Sequence, residues 1–286
     1  GARRYIFKGF ILPNRYTFLH QAMATTFKIT IVHDESDYAR QAVAAAFAEL
    51  DRIEGRLSRH VEHSDIARIN RLAVGQATLV HLDTFDGLRI ALSTQRETGG
   101  AFDVAYGSAS PAANGPRFEL DTDGHRVRVT SAGVRLDLGG IGKGFALDRL
   151  AALLDDWEVE SALLCASTST LLASGAPPAE GGWTVSVGPE HDRRQLRLAK
   201  RSLSGSGTAV QGRHLIDPRS RQPADRRLGA WAGAPTGAVS DALSTAFMIM
   251  TEDEIRRYCR QHADVSAYLW RSPSEPTVTI AEERSA

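Results

Sequence analysis

Cysteine is nearly absent. Cys165 and Cys259 are the two in 286 residues, too few for a disulfide framework and without metal-ligand spacing. One sits in an apolar run and the other in a helical pattern, so each is expected to be a small buried hydrophobe. Long apolar runs are missing as well. No stretch approaches the roughly 20 apolar residues that cross a bilayer, and the opening GARRYIFKGF is too mixed for the apolar region of a secretion signal. No transmembrane segment is therefore expected, and residues 1–20 read as an N-terminal extension, compatible with removal of a leader ahead of Gly1-Ala2. A dominant charge is also lacking. Lys and Arg number 34, as do Asp and Glu, so no field of one sign draws the chain to nucleic acid or to an anionic membrane. Function must rest on local sites.

What remains is an ordinary globular composition, 42% hydrophobic and 24% charged, far from the signature of disorder. Phe27, Ile29 and Ile31 alternate with Lys28 and Thr30, the period of a half-buried strand. From Asp37 to Leu57 the positions Val43, Ala46, Phe47, Leu50, Ile53 and Leu57 recur at helical spacing, and a further helix is expected from Asp83 to Thr98, stopped by Gly99-Gly100. FEL, HRVRVT and VRLDL between Arg117 and Leu138 read as short strands, with a hairpin at Asp121 to Gly124 in which Gly supplies positive φ. A helix from Gly144 to Trp157 follows. Ser161 to Cys165, Trp183 to Val187 and Ser266 to Trp270 read as strands, Ala176 to Gly182 as a loop, and the tail as loose. Thr251 and Glu254 form a T-x-x-E capping box, making Asp241 to Met250 and the segment after it consecutive helices. The mixture predicts an α+β fold with mixed or antiparallel sheets and packed helices in one compact unit.

Five segments carry candidate chemistry. LDLGGIGKGFALDR, Leu136 to Arg149, delivers Asp137 and a glycine cluster from an apolar strand into a helix. Such a turn exposes backbone groups, the helix start favours negative charge, and Lys143 adds a full positive one. Gly140-x-Gly142-x-Gly144 fits neither the dinucleotide fingerprint nor the P-loop. The residues alone leave a structural turn and a ligand loop both open. In AVSDALSTAFMIM, Asp241 and Thr245 lie four apart on one helix face, a carboxylate and a hydroxyl suited to a hard cation such as Mg²⁺; the plainer reading is an acidic residue at a helix start. His214 in HLIDPRS is a proton carrier or simply a satisfied polar group. In TGGAFDVAYG, Thr98 to Gly107, Phe102 reads as core and Asp103 as a cap, and MATTF, Met23 to Phe27, as a strand start.

Taken in order, these segments resemble the FAD:protein FMN transferase family, the ApbE-type flavin transferases, whose hallmarks are M-[GA]-T, L-S-R-Y-x-x-x-S-x-L-S-R-L-N, T-G-G-A-F-D, L-D-L-G-G-I-A-K-G, H-I-I-D-P-R-T-G and D-A-L-S-T-A. The match runs from Met23 to Met250. The resemblance implies that residues 21–286 form an ApbE-like domain related to the T-fold. It implies that Asp241, Thr245 and the carbonyl of Gly140 hold Mg²⁺, and that Met23, His60, Ala101, Phe102, Asp103, Asp137, Lys143 and His214 contact FAD. Lys143, His214 and Asp217 become the catalytic candidates. The implied reaction is Mg²⁺-dependent transfer of FMN from FAD to a Thr or Ser hydroxyl of an acceptor protein, with release of AMP. FAD hydrolysis to FMN and AMP, and a non-catalytic FAD-binding protein, are the alternatives. Many members of the family sit in the bacterial periplasm or cell envelope. The chain departs from the pattern in LSRHVEHSDIARIN, where His60 stands in the place of a stacking aromatic. It also carries Gly142 for Ala, Ser167 to Ser169 in place of a G-G-[DS] turn, and Ser220-Arg221 for T-G.

Overall fold

A computed structural model describes residues 14–108, 116–207 and 215–282. Its centre is an antiparallel sheet of eight strands in the order β1-β2-β6-β7-β10-β11-β12-β13. β1 (Asn14–Ala22) and β2 (Thr25–His33) form the hairpin at one edge. β2 repeats the expected alternation, with Phe27, Ile29 and Ile31 fully buried. Next come β6 (Ala162–Ala166), β7 (Thr170–Ser174), β10 (Arg201–Gly207), β11 (Gly229–Ala234), β12 (Ser266–Trp270) and β13 (Val278–Ala281).

One face of the sheet is covered by helices. α1 (Ser36–Leu57) turns Val43, Ala46, Leu50, Ile53 and Leu57 inward, while Phe47 lies at the margin, stacked on His20 at 4.8 Å between ring centroids. α4 (Gly142–Asp156) and α5 (Gly237–Ile249) lie against β7, β10 and β11. The opposite face carries the ribbon of β8 (Trp183–Val187) and β9 (Arg194–Leu198), which closes a second core of Trp183, Val185, Val187 and Leu198 on Val32, Leu203 and Tyr268. A small sheet of β3 (Ala77–Leu79), β5 (Arg126–Val129) and β4 (Phe118–Asp121) accompanies α2 (Asp65–Ile69) and α3 (Leu82–Glu97). α6 (Glu252–Gln261) starts on the expected reciprocal capping box of Thr251 and Glu254. This is the α+β architecture that the residue patterns predict.

Several local expectations are corrected. VRLDL, Val134 to Leu138, forms no strand. The Asn70 side chain takes the place of a neighbouring strand: its Oδ1 accepts from Leu136 N–H at 2.7 Å and its Nδ2 donates to Leu136 C=O at 3.0 Å. At the β4–β5 turn the left-handed residue is His125 (φ 46°), not Gly124. The tail is not loose throughout, since β13 pairs with β12. Both cysteines are buried, and burial pushes each thiol up to about 11, as expected of structural rather than reactive thiols.

α4 and α5 approach each other closely at a pair of glycines. A Cβ on Gly144 would lie 1.9 Å from the carbonyl oxygen of Gly237, and one on Gly237 would lie 2.3 Å from that of Gly144. Neither obstacle is a side chain that can swing away. Gly144→Ala is therefore expected to cost about 3 kcal/mol or more, at the upper end for overpacking. Gly55→Ala, in α1 with no atom within 4 Å of the added carbon, should gain about 0.5–1 kcal/mol. Urea denaturation of both variants tests the pair, and a Gly144→Ala protein as stable as the parent would refute the backbone contact.

Candidate functional site

The α4–α5 crossing brings two helix N-termini together, each with unpaired N–H groups and a partial positive charge. Each helix satisfies the other. From α4, Asp148 accepts from Gly237 N–H at 2.5 Å and Ala238 N–H at 2.8 Å. From α5, Asp241 accepts from Gly144 N–H at 3.1 Å. The sequence explains why the partners must be so distant: α4 is preceded by Ile141, which offers no side-chain cap, and α5 by Thr236, which caps Val239 alone.

Asp241 is buried, 4% exposed, and each of its oxygens is engaged. Oδ2 takes the Gly144 N–H and faces Lys143 Nζ at 3.5 Å; Oδ1 accepts from the Thr170 hydroxyl of β7 at 3.1 Å. Lys143 also donates to Gly139 C=O at 3.3 Å. One turn along α5, Thr245 Oγ1 donates to Asp241 C=O at 3.4 Å. An added Cβ at Gly140 would sit 3.4 Å from Thr245 Oγ1 and 3.2 Å from the ring of Phe102, so the glycine lets that turn press onto both. Asp241, Thr245 and Gly140 thus gather oxygen atoms beside the Lys143 ammonium, with the Phe102 ring against the Gly140 turn. Such a donor set fits a hard cation that keeps part of its shell for water or phosphate. No group of three His, Cys, Asp or Glu with metal-ligand placement occurs among the described residues.

Beside the cluster opens a cleft of about 550 Å³, lined by Arg59, His60, Asn70, Tyr106, Gly107, Arg135, Leu136 and Asp137. Its size is that of a small-molecule site. Asp137 shapes the turn by accepting from Gly139 N–H at 2.9 Å, and its other oxygen lies 3.3 Å from Arg59 Nε. Cleft and cluster therefore share one segment, Leu136 to Gly144.

The remaining predicted residues are spread around this centre. Ala101 and Phe102 are both buried. Asp103 forms a buried ion pair with Arg117 at 2.5 Å and also accepts from Ala105 N–H. Asp217 sits in a turn held by Arg219, which donates to it from both backbone and side chain, and Arg219 lies against Gly100. Burial alone would push Asp217 up, but the Arg219 bonds and charge together hold it below the usual carboxylate range. Met23 is in the two-residue β1–β2 turn with Ala24, both left-handed (φ 50° and 57°) where such turns prefer Asn-Gly. His214 lies outside the described residues.

The ApbE family model matches residues 23–269. The chain belongs to the ApbE family. Among ApbE relatives, the FAD:protein FMN transferase of Klebsiella pneumoniae (strain 342) is 22% identical over 92% of this chain and 89% of its own. That of Treponema pallidum (strain Nichols) is 25% identical over 79% and 76%. The crystal structure of the Pseudomonas stutzeri flavinyl transferase ApbE in its apo form superimposes with a TM-score of 0.81, at 20% identity over 94% of this chain and 96% of the other. These structural likenesses speak for the ApbE fold.

Within this ApbE-family site, three contributors escaped the motif reading. Thr170 reaches Asp241 across the sheet–helix interface, Asp148 caps α5, and a ladder of hydroxyls seats α5 on β10. Ser202 and Ser204 each lie 2.7 Å from Ser240, and Ser206 lies 2.9 Å from Ser244. The ladder had a signal in the period-2 serines of RSLSGSG and the i, i+4 serines of α5. Thr170 and Asp148 had none.

Burial raises Asp148 from 3.8 to about 6, against the opposing pull of its two backbone N–H bonds. A carboxyl raised in the folded state contributes stability that is fully present below its unfolded value and lost as pH rises through the folded one. Relative to Asp148→Asn, which cannot titrate, the parent should lose about 1.4 kcal/mol per pH unit between about pH 4 and pH 6. Denaturant titrations at several pH values check this, and parallel curves for the two proteins would remove the shift.

Proposed function

We propose that this chain transfers the FMN half of FAD to a Thr or Ser hydroxyl of an acceptor protein, with dependence on Mg²⁺ and release of AMP. The observation that carries the reading is the Asp241–Thr245–Gly140–Lys143 cluster adjoining the Asp137 cleft on one segment of an ApbE-family chain. Relatives named FAD:protein FMN transferase that align over most of their length lend it weight.

Asp241, Thr245 and the carbonyl of Gly140 would hold Mg²⁺, whose chemistry is to neutralise diphosphate charge. Lys143, tethered between Gly139 and Asp241, would add a positive charge beside the same groups. FAD would be held by Met23, His60, Ala101, Phe102, Asp103, Asp137, Lys143 and His214. The acceptor's hydroxyl oxygen bonds to the FMN phosphorus, the bond from that phosphorus to the bridging oxygen breaks, and AMP departs with that oxygen. The hydroxyl proton passes to a base, for which His214 is the better candidate. Asp217, depressed by Arg219, is suited to shaping the turn beside Gly100. In such a reaction fixed charge and alignment contribute most of the rate. The catalytic unit would be residues 21–286, with β1 tying residues 14–20 to its sheet edge.

Incubation with FAD, Mg²⁺ and a Thr-bearing acceptor domain, followed by mass spectrometry, is expected to show the acceptor heavier by one FMN and AMP in solution. Asp241→Asn should lower the rate by at least the roughly 10–100-fold that loss of a partner of a metal ligand costs, with circular dichroism unchanged. FMN and AMP without modified acceptor would replace the transferase by a hydrolase, and bound but intact FAD would replace both by a binding protein.

A further inference from the structure

Two rings in the cleft have no hydrogen-bond or ring partner among the described residues. Tyr106 is 43% exposed although Val104 and Ala105 beside it are buried. Among the described residues its hydroxyl makes no hydrogen bond and its ring meets no other ring; the His60 ring is equally free, only its backbone N–H being used, on Ser58 Oγ. Both line the same cavity.

The Tyr106 backbone, by contrast, is tightly held. Tyr106 N–H donates to Asp103 C=O at 3.2 Å, Ser108 N–H to Ala105 C=O at 3.0 Å, and Asp103 is pinned by Ala105 N–H and the buried Arg117. Ser108 Oγ in turn accepts from Arg135 N–H at 3.0 Å, joining this loop to the segment that carries Asp137. An aromatic side chain on a fixed loop, 43% exposed in a cleft and with no hydrogen-bond or ring partner among the described residues, is the arrangement of a stacking platform: large contact area with little ordering cost. A lone imidazole offers less area, and two arginines against one aspartate make the rest of the lining suited to an anionic ligand.

We infer that Tyr106 is a binding residue of this cleft and stacks on the isoalloxazine ring of FAD, supplying the aromatic area that His60 does not. The inference rests on the flavin reading above and adds to it a specificity-determining residue. Loss of one stacking aromatic typically costs about 5–100-fold in affinity.

The test is equilibrium binding of FAD, FMN and ADP-ribose by calorimetry to the full chain and to Tyr106→Ala and Tyr106→Phe. FAD and FMN are expected to bind Tyr106→Ala about tenfold or more weakly, Tyr106→Phe within about twofold of the parent, and ADP-ribose equally to all three. FAD affinity unchanged in Tyr106→Ala overturns the assignment. So does an equal loss for ADP-ribose, which would place the adenine half at Tyr106 or reveal a general disturbance of the loop. A parent chain that binds no FAD defeats the flavin reading itself and this inference with it.

Discussion

The structure depends on one contact, the crossing of two helix N-termini at Gly144 and Gly237. Bringing two such ends together without side chains between them concentrates partial positive charge and unpaired N–H groups in a place water barely reaches. The chain resolves this by exchange: Asp148 of α4 serves α5, and Asp241 of α5 serves α4. Neither carboxylate is a surplus charge in the core, because each answers an electrostatic need of the opposite helix. Asp241 is thereby fixed in position before any ligand arrives, its second oxygen held by Thr170.

The rest of α5 is arranged to keep that position. At its far end the buried Arg227 donates to the carbonyls of Phe247 and Met250, both at 2.6 Å. Burial pushes this guanidinium down to about 10, still charged at neutral pH and therefore favourable at a helix C-terminus. Along its length, serines of β10 and α5 pair hydroxyl to hydroxyl. Small side chains allow helix and sheet to lie close, and the mutual bonds remove the cost of burying them. A helix capped at both ends by buried charges and seated on a hydroxyl ladder has little freedom to slide, and Asp241 and Thr245 share that rigidity.

Much of this was legible in the residues, and the limits are instructive. β2, α1 and the Thr251–Glu254 box follow from periodicity and local capping, which are properties of neighbouring residues. β10 and β11 did not announce themselves: RSLSGSG and GAWAGA lack the β-branched residues that mark strands, because the space such residues fill is occupied by α5. VRLDL looked like a strand because it has a strand's alternation, yet its backbone bonds go to the Ser108 hydroxyl, the Asn70 amide and the Val104 carbonyl rather than to a neighbouring strand. For the site, Asp241, Lys143 and Gly140 were visible since each lies in a contiguous segment with chemical character. Thr170 and Asp148 became meaningful only through contacts with residues far along the chain.

The cleft and the carboxylate cluster share the segment Leu136 to Gly144, and this limits what the site can accept. A ligand that meets both must present a group to His60, Tyr106 and Asp137 at one end and negative charge to Lys143 at the other. On the proposed reading a free flavin would satisfy the first demand and an isolated phosphate the second. On that reading a dinucleotide would satisfy both, because the turn at Gly139 and Gly140 joins the two regions. The glycines matter here for what they omit: at Gly140 a side chain would press into Phe102 and Thr245, and the turn would have to withdraw from the cluster it now joins to the cleft.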